Sequence, residues 1–93
     1  MEFEWDPQKA AKNDRKHSIS FAEAATVFDD PLSVTVPDPD HSAEEDRFLI
    51  VGQSHRRRLL IVSFAERKDR FRIISARALT RAESRAYEEE HDE

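Results

Sequence analysis

The chain has 93 residues, no cysteine, a single glycine and a formal net charge of −5. Those figures exclude disulfide and thiolate chemistry, glycine-rich phosphate loops, and a core large enough to enclose a big pocket. With no apolar run of membrane-spanning length and no signal-type amino terminus, the expectation is one small domain over 1–93, cytoplasmic by absence of any address.

The charge is segregated. Residues 1–46 hold four basic and twelve acidic side chains, residues 47–87 hold eleven basic and three acidic, and residues 88–93 add five acids and no base. A basic second half suits a polyanion site, a charged protein partner, or attraction between the two halves of the fold.

In chain order, Phe3 and Trp5 alternate with Glu2 and Glu4 as a short first strand. Asp6-Pro7 supplies an N-cap and a first-turn proline, and predicts a helix to about Lys16. Lys9, Asn13 and His17 (or Lys16) share one side of it. Ser20-Phe21-Ala22-Glu23 is a capping box opening a second helix over about 21–28, with Phe21, Ala24, Ala25 and Phe28 inward. Asp29-Asp30-Pro31 stops it. Leu32, Val34 and Val36 alternate as a strand, and Pro37–Asp46 reads as an acidic surface loop.

Phe48–Val51, Leu59–Phe64 and Phe71–Arg77 are three further strands, linked by turns at 52–58 and 66–69. Such short links demand antiparallel pairing. Thr80-Arg81-Ala82-Glu83 is a second capping box, opening a last helix that includes Tyr87; the acidic tail 88–93 has no apolar stripe and is expected to fray. The order is βααββββα, an α+β fold with a mostly antiparallel sheet packed with N-terminal and C-terminal helices.

For chemistry, His17, His41, His55 and His91 are widely spaced and form no metal-ligand motif, so no metal or cofactor is expected. No serine sits in a nucleophile elbow. What remains is cationic. Arg77 ends a strand just before a helix, where its forked donors suit a phosphate in a surface concavity. His17, ending the first helix with Lys16, is either a C-terminal capping cation or a proton-transfer group. RNA brings its own nucleophile, the 2′-hydroxyl, and asks a protein only to orient it, stabilise charge on phosphorus and protonate the leaving oxygen.

Two features count against a single phosphate site. Arg67 falls near the turn of the last hairpin and Arg77 toward its other end. Strand alternation also puts Arg72 and Arg77 on opposite faces unless a bulge intervenes. Arg56, Arg57 and Arg58 form a basic turn, either a solvated tip or a contact to an RNA backbone, and Arg72 is a further backbone contact or an ion-pair member. Tyr87 is a packing residue or a stacking and hydrogen-bonding partner. Glu83 is a capping residue or one that orients Arg77.

These residues carry a resemblance. Phe3, Trp5-Asp6, Lys9, Asn13, Lys16-His17, Ile19, Phe21, Glu23-Ala24, Val27-Phe28 and Asp30-Pro31 form an amino-terminal pattern; Arg47 and Gly52 follow; Arg72-Ile73-Ile74-Ser75-Ala76-Arg77, Glu83 and Tyr87 complete it. Together they resemble the BrnT family of type II toxins across nearly the whole chain. The resemblance implies a RelE-like fold and a metal-independent endoribonuclease that inhibits translation. It implies a cognate BrnA-like ribbon-helix-helix antitoxin as partner, operator DNA bound only through that antitoxin, and a 2:2 toxin–antitoxin assembly. Carried over by motif, the catalytic set is Lys16, His17, Arg67, Arg77 and Tyr87. His17 would move protons, the three cations would hold phosphate, and Tyr87 would position a base or the phosphate. The acidic tail and the Pro37–Asp46 loop depart from the pattern. The competing reading is a non-enzymatic module that binds RNA or protein through the same basic face.

Overall fold

The computed structural model describes residues 2–40 and 46–91. Its elements are β1 (Glu2–Glu4), α1 (Pro7–His17), α2 (Phe21–Thr26) running into a 3₁₀ turn (Val27–Asp29), β2 (Val34–Pro37), β3 (Arg47–Gln53), β4 (Leu59–Arg67), β5 (Arg70–Ala78) and α3 (Arg81–His91). This is the expected order. The strands form one five-stranded sheet, β1-β5-β4-β3-β2, in which β2 to β5 pair antiparallel. β1 alone pairs parallel, with Phe3 beside Phe71, because α1 and α2 lie between it and the rest of the sheet.

The local signals act as the chain chemistry requires. Asp6 accepts the Gln8 N–H at 2.8 Å and so caps α1. Ser20 caps α2 by accepting the Glu23 N–H at 3.0 Å. The second helix turns 3₁₀ from Val27, earlier than the expected end at 28. Thr80 and Glu83 make a reciprocal capping box at 3.1 and 2.9 Å. α3 then continues through His91, so residues 88–91 are helical where fraying was expected; Asp92, Glu93, His41 and the centre of the Pro37–Asp46 loop lie outside the described residues.

One sheet face carries the core. Ile50, Leu60, Val62, Phe64, Ile73 and Ala76 pack against Ile19, Phe21, Ala24 and Val27 of the helical layer. Phe3, Phe28, Phe48, Phe64 and Phe71 interlock there, Phe28 and Phe64 edge-on at 4.9 Å. The sole glycine, Gly52, is buried where β3 passes the 3₁₀ turn; a Cβ would stand 2.9 Å from that of Ser33 and 3.1 Å from the Val27 side chain. Among the described residues no helix is long and apolar enough to cross a membrane.

The other face is open, and β5 is irregular there. Ser63 pairs with Ser75, but the next β4 residue, Phe64, pairs with Ile73. Ile74 is therefore one residue too many, a β-bulge. Below it Phe71 and Ile73 point to the core; above it Ala76 does. The extra residue moves Arg77 onto the face that alternation gives Arg72, which is the exception that strand parity allows.

Candidate active site

The open face holds a cleft of about 310 Å³. Leu49, Ile61 and Ile74 give it an apolar floor, with the hydroxyls of Ser63 and Ser75 between them. Arg47 of β3 and Arg77 of β5 line it from two strands, His17 enters from the end of α1, and Asp38 to Asp40, following β2, close one side. Two guanidiniums, an imidazole and two hydroxyls thus border one concavity.

Placement of His17 follows from a buried asparagine. Asn13 sits one turn before it on α1 and is 7% exposed. Its amide nitrogen donates to the carbonyls of Ile19 at 3.0 Å and Ala76 at 2.9 Å, and its oxygen accepts the Ala76 N–H at 3.1 Å. The side chain thereby completes the backbone pairing of β5 between Ser75 and Arg77 and clamps α1 to that strand. The helix ends immediately after His17 because Ser18 adopts a left-handed conformation (φ 58°), its N–H donating to Asp14.

Arg77 is held by Glu83. Nη1 donates to Oε1 at 2.8 Å and Nη2 to Oε2 at 3.0 Å, a fork on a fork, and Nη1 also reaches the Ala78 carbonyl at 3.2 Å. Those contacts use three of the five guanidinium N–H groups. The Nε–H and one Nη2–H have no partner among the described residues. The hydrogen bond from Arg77 holds the Glu83 carboxyl down at about 2, and the same bond raises Arg77 against the opposing effect of its partial burial. Both roles read for Glu83 in the sequence are therefore present in one carboxylate.

The remaining expected site residues are dispersed. Lys16 is exposed and lines a shallower groove that adjoins the cleft at His17 and Ser75. Arg67 pairs across the β4–β5 turn with Arg70, whereas Arg77 lies opposite Ile61. Six residues of β4 separate those points, roughly 20 Å, so Arg67 is not brought to the cleft. Tyr87 lies on α3 over a neighbouring apolar groove with Val34, Val51 and Leu79, which shares Ile61 with the cleft; it donates its hydroxyl to the Leu32 carbonyl at 3.2 Å and stacks on His91 at 4.1 Å. Burial, reinforced by Asp30, raises the Tyr87 phenol.

Of the arginines proposed to touch RNA backbone, Arg56 and Arg57 lie exposed at the β3–β4 hairpin tip, Arg57 in a left-handed conformation. Arg58 is a structural clamp instead. It forks onto the buried Glu23, with Nε donating to Oε2 at 2.9 Å, and also donates to the Ser18 carbonyl at 3.0 Å. Ser54 Oγ donates to Glu23 at 2.6 Å, and the Arg58 hydrogen bond, outweighing burial, lowers that carboxyl to about 2. Arg72 is paired with Glu4 at 3.0 Å on the β1 edge.

Residues 5–83 match the family described as "Ribonuclease toxin, BrnT, of type II toxin-antitoxin system". The chain belongs to the BrnT family. The crystal structure of the Brucella abortus ribonuclease toxin BrnT is similar in fold, with a TM-score of 0.69 and 21% identity over 87% of this chain and 99% of that one. No functionally curated protein matches the chain. Membership makes it a ribonuclease toxin by family, and a type II system implies a cognate antitoxin as partner. The family match spans His17, Arg47, Arg77 and Glu83; Tyr87 falls four residues beyond it.

Two contributors to the BrnT cleft were not singled out as site residues from sequence. Arg47 shares with Leu49 and Val51 the alternation opposite to Phe48, Ile50 and Gly52, and that parity was the available signal. Asn13 stood on the same helix side as His17, but nothing in the sequence showed that its partner would be Ala76.

Proposed function

We propose that this BrnT-family protein is an endoribonuclease that cleaves RNA through the internal 2′-hydroxyl. The observation that carries this reading is the meeting of His17, Arg47 and Arg77 around one cleft. The scissile phosphate sits against Arg77 and Arg47. Their guanidiniums offset the charge that builds on the non-bridging oxygens as the 2′-oxygen attacks phosphorus. The new 2′-O–P bond replaces the P–O5′ bond, leaving a 2′,3′-cyclic phosphate and a 5′-hydroxyl. His17 takes the 2′-hydroxyl proton and returns one to the departing 5′-oxygen. In this reading protein cations do the work of charge neutralisation, and the reaction is metal-independent. Lys16 holds an adjacent phosphate. Arg67 and Tyr87 act outside the chemical step.

On the same reading, cleavage inhibits translation, and a BrnA-like ribbon-helix-helix antitoxin silences the toxin, supplies operator binding and assembles with it 2:2. The family resemblance supports these points.

The test is incubation of the purified protein with end-labelled RNA in chelator. The expected products carry 2′,3′-cyclic phosphate ends and are suppressed by the antitoxin. RNA that is bound but left intact by correctly folded protein is the result of a non-enzymatic binding module, and a 3′-hydroxyl product would remove the internal nucleophile.

A further inference from the structure

The groove beside the cleft has a composition of its own. It is lined by Lys9, Lys12, Asn13, Lys16 and His17 of α1 and by Ile74 and Ser75 of β5, and encloses about 190 Å³. His17, Ile74 and Ser75 line both depressions. The two depressions are therefore neighbours that share a wall, with His17 and Ser75 at their common boundary. Arg47 and Arg77 lie on one side of that boundary and three lysines on the other.

The lysine arrangement follows from helix geometry. At 100° per residue Lys9, Lys12 and Lys16 fall within a 60° arc of α1. Asn13 and His17, the residues that face β5, border that arc. Asp14 lies on the opposite flank of the helix, toward Arg58, whose cation it favours. No acid falls among the three lysines. Successive lysines rise by about 4.5 and 6 Å along the axis, the scale of one nucleotide step. The Asn13 bonds to Ile19 and Ala76 fix this stripe relative to the cleft.

We infer that Lys9, Lys12 and Lys16 form a phosphate track that binds the RNA strand flanking the scissile linkage as it leaves the cleft past His17 and Ser75. This rests on the endoribonuclease reading and extends it from one phosphate to a run of several. The contacts are to backbone, so the track adds affinity and substrate length without sequence choice. Asp38 and Asp40 stand on the far side of the cleft and, among the described residues, no acid lines the lysine groove, so the strand is directed toward the lysines.

The test uses a 2′-O-methyl oligonucleotide of twelve residues, which the enzyme cannot cleave, and a 2′-O-methyl dinucleotide. Affinity is measured across a salt series for the wild-type chain, for Lys9→Gln/Lys12→Gln, and for Lys68→Gln at the distant β4–β5 turn. The double variant is expected to bind the twelve-mer more weakly. Its slope of log affinity against log salt becomes shallower by about 1.4 units, since each phosphate contact on a single strand contributes about 0.7. The dinucleotide, too short to reach the track, shows no such change, and Lys68→Gln lacks the effect on either ligand. An unchanged twelve-mer slope in the folded double variant overturns the track. So does an equal loss on the dinucleotide, or a variant that loses only antitoxin binding, which would make the stripe a protein contact. Cleavage of unmodified RNA is scored separately: a wild-type chain that shows the length-dependent slope and yields no product refutes the endoribonuclease reading and leaves the track standing.

Discussion

Glu83 grips both terminal nitrogens of Arg77 while its Oε1 also accepts the Thr80 N–H at 2.9 Å. One carboxylate thus starts α3 and fixes the direction of the guanidinium on β5. Coupling of this kind ties the cleft to the helix that roofs the neighbouring groove.

Arg77→Ala should lower RNA cleavage by about 10²-fold or more, the usual effect of removing a donor aimed at developing charge. Arg77→Lys should recover little, because an ammonium cannot reproduce the fork onto Glu83. Arg67→Gln, roughly 20 Å away along β4, should change the rate much less. Single-turnover rates on one RNA, with circular dichroism as a check on folding, distinguish the three. Equal losses for Arg67 and Arg77 would refute the placement of the phosphate at Arg77.

His17→Gln should reduce the rate by about 10²–10⁴-fold, as loss of a general acid–base does. His17 is half-buried and lies outside the core cluster, so thermal unfolding should be nearly that of the wild type. A variant with a full rate would take proton transfer away from this residue.

Asn13→Ala should destabilise the fold by about 3 kcal/mol, since it strands the Ile19 carbonyl and both backbone groups of Ala76 in the interior. Because the same side chain holds α1 over β5, the folded fraction should also cleave more slowly. Denaturant unfolding gives the first number and rates corrected for folded fraction give the second. A stable, fully active variant would show that α1 is seated without this clamp.

Acid should unfold the protein partly through Glu23. Its carboxyl sits at about 2 in the fold against an ordinary value of 4.5. A depressed value means the stabilisation is complete above about 4.5 and is lost as pH falls through about 2. The upper bound on that contribution is about 3 kcal/mol. Glu83 titrates over the same window but is two-fifths exposed and contributes less. Glu23→Gln should therefore flatten stability between pH 5 and about 2 more than Glu83→Gln does. Arg58→Ala, leaving the buried carboxylate with Ser54 as its remaining side-chain partner, should destabilise the fold measurably. Arg56→Ala should not.

Much of this was legible in the chain. Capping residues marked the start of each helix, and short turns fixed the antiparallel run from β2 to β5. The charged candidates were harder. His17 and Arg77 could be named, but whether they met depended on Asn13 finding Ala76, sixty-three positions away. Arg58 looked like its neighbours Arg56 and Arg57, and only tertiary packing put a buried Glu23 within its reach. Tyr87 carried the family pattern yet its hydroxyl is spent on Leu32. Local patterns report periodicity and caps; they do not report which distant polar group completes a pair.

The surplus Ile74 gives β5 a tolerance in length. Removing that one amino acid would bring Ser75 directly after Ile73 opposite Ser63 and Phe64, a regular ladder in which Ala76 still meets Val62 and Arg77 still meets Ile61. Loss of that single codon should therefore spare the orientation of the arginine, whereas smoothing the kink with every residue retained would rotate it into the interior.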